Sequence, residues 1–122
     1  MFYLDYAPVY HRNYFYIFGG RNAHYGFATT KIARLDTHTK TWSIVGELNN
    51  PRLGHSVIFN GQVFFVVGGK SHLTQETEPM KTEQCTLASG KMSCIELEST
   101  LNNYVYYPVL LTVDNDFIKN CV

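Results

Sequence analysis

A chain of 122 residues and 14.0 kDa is the size of one compact domain, and 45 % hydrophobic content with 9 Tyr, 8 Phe and a single Trp excludes a disordered tail, because so much apolar surface can offset the entropy of ordering. Ten basic and ten acidic side chains cancel, which leaves no overall basic field for nucleic acid or a polybasic membrane anchor. No segment approaches the roughly 20 consecutive apolar residues of a spanning helix. The balance conceals an asymmetry, since residues 1–70 carry seven basic and three acidic side chains and residues 71–122 carry three and seven.

The first residues, Met1-Phe2-Tyr3-Leu4-Asp5-Tyr6, lack the basic start and unbroken apolar run of an export signal. Tyr14-Phe15-Tyr16-Ile17-Phe18 then runs into Gly19-Gly20, and the same form returns as Val63-Phe64-Phe65-Val66-Val67 and Gly68-Gly69, with 49 residues between Gly19 and Gly68. Five aromatic and β-branched residues closed by glycine are too short for a helix and predict a buried strand. After the first doublet comes the loop Arg21-Asn22-Ala23-His24-Tyr25-Gly26-Phe27. Lys31–Leu35 and Thr41–Val45 read as a hairpin about the polar stretch Asp36-Thr37-His38-Thr39-Lys40, with Trp42 and Ile44 expected on one packed face at period two.

Pro51-Arg52-Leu53-Gly54-His55-Ser56 leads into a strand His55–Phe59, and Asn60-Gly61 is expected at the two central positions of a hairpin turn before a return strand Gln62–Val67. The loop Lys70–Glu83 follows the second doublet. Residues 85–94 then align without a gap on residues 33–42, so a two-residue turn at Ser89-Gly90 would set Cys85 directly opposite Cys94, at a separation that suits either a disulfide or two packed thiols. Leu48-Asn49-Asn50 recurs as Leu101-Asn102-Asn103, a third unit is expected from about Tyr106, and Cys121 is left over. No segment shows a 3.6-residue period.

The glycine doublets, the hairpin ending in Trp42 at 22 residues from Gly20, and Arg52-x-Gly54-His55 together resemble the kelch repeat, a four-stranded propeller blade of about 50 residues. The resemblance implies an all-β partial propeller of four-stranded antiparallel blades stacked side by side, with residues 5–46 as blade one, 53–98 as blade two and 104–122 opening blade three. Closed propellers use about four to eight blades, so the ring is not closed, and the expectation is a piece of a longer propeller or copies that assemble. The stretch from Cys94 to Cys121 is also similar to extracellular kelch proteins of invertebrates.

A propeller scaffold works through its loops, so the resemblance implies a non-enzymatic module for a protein or peptide partner, with Arg21, His24, Tyr25, Arg52, Lys70 and His72 as contact residues. The doublets are structural glycines rather than a phosphate cradle, since neither belongs to a phosphate-binding motif. The five histidines lack metal-ligand spacing, and His55 and Ser56, adjacent in a strand, point to opposite faces and cannot pair; no cofactor and no catalytic residue is expected. The alternatives are a piece of a galactose-oxidase-like copper enzyme or other propeller enzyme, on fold analogy alone, or a truncated product without function. The compartment follows the cysteines: a Cys85–Cys94 bridge would go with an oxidising, extracellular setting and free thiols with the cytoplasm.

Overall fold

The computed structural model describes residues 3–4, 6–22, 27–72 and 80–100; the expected third unit and Cys121 lie outside these residues. The described chain is all-β, with ten strands: β1 Tyr3–Leu4, β2 Ala7–His11, β3 Tyr14–Phe18, β4 Arg21–Asn22, β5 Thr29–Asp36, β6 Thr41–Arg52, β7 Ser56–Phe59, β8 Phe64–Val67, β9 Lys81–Ala88 and β10 Lys91–Thr100. β1 and β4 form a small antiparallel pair, and the other eight form one sheet in the order β2-β3-β5-β6-β10-β9-β8-β7. This sheet is two antiparallel blades, joined edge to edge by a single parallel bridge between Gly46 and Met92. It curls until its end strands β2 and β7 face each other, where His11 meets Phe59 at 4.6 Å. Among the described residues that seam has no ladder of strand pairing, so the barrel-like sheet is nearly closed and unsealed, as a partial propeller would be.

Local chemistry sets most of the turns. Arg12 and Asn13 both take positive φ, 50° and 69°, in a two-residue turn between β2 and β3; without an Asn-Gly signal, the sequence did not announce β2 at all. Asp36 accepts hydrogen bonds from the amides of His38 at 2.9 Å and Thr39 at 3.3 Å, closing the β5–β6 hairpin and holding its own carboxyl below the usual range. The Asn60-Gly61 expectation needs correcting. Phe59 pairs with Phe64, so the connection has four residues and the return strand starts at Phe64 instead of Gln62. The Asn60 side chain accepts the Gln62 and Val63 amides and so diverts backbone groups a tighter hairpin would have paired.

The Ser89-Gly90 turn is as expected, with φ of 52° and 76°. Cys85 therefore lies opposite Cys94, and the two are joined in a disulfide with their Cα atoms 4.0 Å apart.

The core lies between the blades. Tyr16 and Phe18 on β3 meet the Phe64 ring on β8 at 5.7 and 5.3 Å, and Phe59 stacks on Phe64 at 4.4 Å; Ile32, Val45, Leu48, Val66, Cys85 and Met92 complete the cluster. The opposite face of blade one corrects another expectation. Trp42 and Ile44 do share a face, but they are 53 % and 51 % exposed. They end two cross-strand rows, Tyr10-Phe15-Leu35-Trp42 and Pro8-Ile17-Ala33-Ile44, on the face that a further blade would cover in a propeller; no described strand lies on it.

Candidate functional site

Both glycine doublets end an inner strand at the same end of the molecule, and all four glycines take positive φ: 63° and 88° at Gly19 and Gly20, 75° and 90° at Gly68 and Gly69. Side-chain-bearing residues resist this conformation. Space is short as well, because a Cβ on Gly19 or on Gly69 would lie 2.8 Å from the carbonyl oxygen of Arg52 or of Leu53. The chain can therefore fold down on the Arg52–His55 connection. Gly20 donates its amide to the Arg52 carbonyl at 2.7 Å, and Leu53 and Lys70 exchange backbone hydrogen bonds at 2.8 and 3.0 Å.

Beneath this turn lies a buried polar cluster that ties the blades together. Arg52 and Glu83 are both fully buried and form an ion pair at 3.1 Å. The Glu83 carboxylate also accepts from the Asn49 amide at 2.6 Å, the Asn49 side chain at 3.0 Å and the Asn50 amide at 3.3 Å. Arg52 donates further to the carbonyls of Gly68 and Lys81. Burial pulls the guanidinium pKa down from its ordinary value, and the Glu83 charge opposes that shift. His55, 4 % exposed, reaches the Phe18 carbonyl through Nε2 at 2.6 Å. That carbonyl requires Nε2 to carry the proton, which leaves Nδ1 as the bare ring nitrogen, buried without a hydrogen-bond partner among the described residues. Desolvation first, and then the nearby Arg52 charge, lower the His55 pKa to about 4 against the pull of the Phe18 hydrogen bond.

Above the cluster the two blades' loops join. Ala28 donates its amide to the Ser71 carbonyl at 3.0 Å, Phe27 pairs with His72 in an isolated bridge, and the Phe27 ring meets the His72 ring edge-on at 4.3 Å. Phe27 is 65 % exposed. Of the residues the sequence singled out, Arg21 on β4, Lys70 and His72 stand half-buried at this end. His24 and Tyr25 lie outside the described residues. Arg52 is beneath the surface, with its guanidinium held by Glu83 and two carbonyls, so its place is to brace the loops. Phe27 was not among the sequence candidates; its signal was an aromatic residue closing the loop after the first doublet.

Residues 4–49 match the family model for the Kelch motif, a span that covers most of blade one. No curated protein matches the chain.

Proposed function

We propose that this chain, a kelch-repeat protein over residues 4–49, is a scaffold that presents its doublet-end loops to a protein or peptide partner. Kelch repeats generally mediate protein–protein interactions. The observation that carries the reading for this chain is the fusion of the two loops: Phe27 of one blade stands exposed against His72 of the other, with Arg21 and Lys70 at the same end. Aromatic residues and arginine are enriched at protein interfaces, and the glycine doublets and the Arg52–Glu83 pair hold their backbone in place, which lowers the ordering cost of binding. Arg21, His24, Tyr25, Lys70 and His72, joined by Phe27, form the proposed contact set, with Arg52 as its brace.

Selection of peptides from a random displayed library on the purified chain tests this. Selected peptides are expected to lose at least about tenfold in affinity on Phe27→Ala or His72→Ala, the effect of removing a contact worth about 1.4 kcal/mol. Peptides that bind both variants as well as the parent chain would show that the partner surface lies elsewhere.

A further inference from the structure

The two blades match strand for strand, and the match fixes which of their faces meet. On blade one the cross-strand row Tyr10-Phe15-Leu35-Trp42 falls at the same strand positions as Phe59-Phe64-Cys85-Cys94 on blade two. The neighbouring row Pro8-Ile17-Ala33-Ile44 falls likewise on Val57-Val66-Glu83-Glu96. In blade two these rows face blade one, and Phe64 meets Tyr16 and Phe18 there at 5.7 and 5.3 Å. In blade one the same rows face outward, with Tyr10, Phe15, Trp42 and Ile44 57, 41, 53 and 51 % exposed.

The blades therefore meet front to back, and each keeps one face to spare. On blade two the spare row is Ile58-Phe65-Gln84-Ile95. Its counterpart on blade one, Val9-Tyr16-Arg34-Ser43, contains the Tyr16 that packs on Phe64. Ile58 and Phe65 are half-buried and Ile95 is 59 % exposed. The two spare faces thus differ from each other and fit by the register already used inside the molecule, which makes the contact one that can repeat from copy to copy. Charge points the same way. Residues 1–70 carry seven basic and three acidic side chains, net +4, and residues 71–122 three and seven, net −4, so unlike blades attract and like blades repel.

We propose that copies of this chain associate front to back, the Trp42 face of one packing on the Phe65 and Ile95 face of the next, and that the repetition closes a ring. Each junction would reproduce the contact between the two blades of one molecule, with Trp42 in the place of Cys94 and Phe65 in that of Tyr16. Contiguous exposed apolar surface marks an interaction site, and tryptophan and tyrosine are the side chains that carry most energy in such contacts. Propellers close at about four to eight blades, so roughly two to four copies complete the ring. The junction uses sheet faces and none of the doublet-end loop residues, so its failure would leave the reading of those loops untouched.

Analytical ultracentrifugation of the full chain tests this, with the fluorescence of Trp42, its single tryptophan, as the local probe. Between about 1 and 100 μM the parent chain is expected to pass from monomer to a discrete species of roughly two to four copies, while the Trp42 emission moves to shorter wavelength. Trp42→Glu and Ile95→Lys, both at exposed positions, should keep the parent's circular dichroism and each weaken association at least about tenfold. An equimolar mixture of the two should recover a dimer and nothing larger, because one intact junction remains. Undiminished association of either variant alone would mean that like faces pair, and growth without limit in size would mean that no ring closes; both overturn the proposal. So would a parent chain that stays monomeric over the whole range. A lower melting temperature for Ile95→Lys would then give that face to residues 101–122 of the same chain, and an unchanged one would leave both faces to a different protein.

Discussion

Replacing Glu83 with glutamine keeps the shape of the buried side chain and removes its charge. In the native cluster one carboxylate oxygen accepts from Asn49 and the other from Asn50 and Arg52. Glutamine retains one acceptor and turns an NH₂ group toward donors. Arg52, fully buried, then loses its direct ion-pair partner and keeps only the weaker influence of the Glu96 charge, and such a break in a buried pair destabilises by about 3–5 kcal/mol. With an unfolding entropy of roughly 2 cal/mol/K per residue, a chain of this length should melt about 12–20 °C lower. Urea titration monitored by Trp42 fluorescence and by circular dichroism measures the loss directly, and coincident transitions show whether two-state analysis applies. The double variant Arg52→Met with Glu83→Leu should regain part of the stability, since both charges leave together, and not all of it, since the Asn49 and Asn50 amides stay without their acceptor. A loss below about 1 kcal/mol for Glu83→Gln would refute the claim that this pair clamps the blades, because an effect that small belongs to a solvent-screened surface pair.

His55 makes stability depend on pH. Its folded pKa of about 4 lies below the ordinary 6.5, so the unfolded chain binds the proton more tightly, and stability is highest above pH 6.5 and falls as pH drops toward 4, by up to about 3 kcal/mol; urea unfolding of the parent and of His55→Asn across that range should show the slope reduced in the variant. Gly46→Ala would set a methyl 2.3 Å from the Met92 carbonyl oxygen and force apart the edge where the blades bridge, with a loss of about 1–3 kcal/mol in urea unfolding; an unchanged midpoint would mean that the bridge is not needed. Reducing the Cys85–Cys94 bond, which links residues 9 apart, should lower stability by about 2–3 kcal/mol in the chain-entropy account, and Cys85→Ser with Cys94→Ser should remove the response of the melting temperature to dithiothreitol.

Where conformation is a local property, it was legible in the residues. The strand–glycine–glycine runs, the Asp36 hairpin and the Ser89-Gly90 turn follow from period-two patterning and from which residues tolerate positive φ, and once that last turn was placed, counting outward set Cys85 against Cys94. The loop end of the candidate site was legible for the same reason, because loops after the doublets must emerge on one face. Even there, Arg52 has the composition of a contact residue, and only its surroundings show that its guanidinium is turned inward.

What tertiary structure alone decided is every relation between the blades. Arg52 and Glu83 are 31 residues apart, and no local rule pairs them. Gly46 reads as an unremarkable strand glycine until Met92 is brought within contact. Trp42 and Ile44 carry the apolar alternation of a packed face and yet stand exposed, because period two states which residues share a face and not what covers it. The seam belongs to this second kind, since His11 meets Phe59 only when the one sheet curls until its two end strands face each other. Backbone preference is set within a few residues, whereas burial and charge environment are set by whatever the rest of the chain brings near.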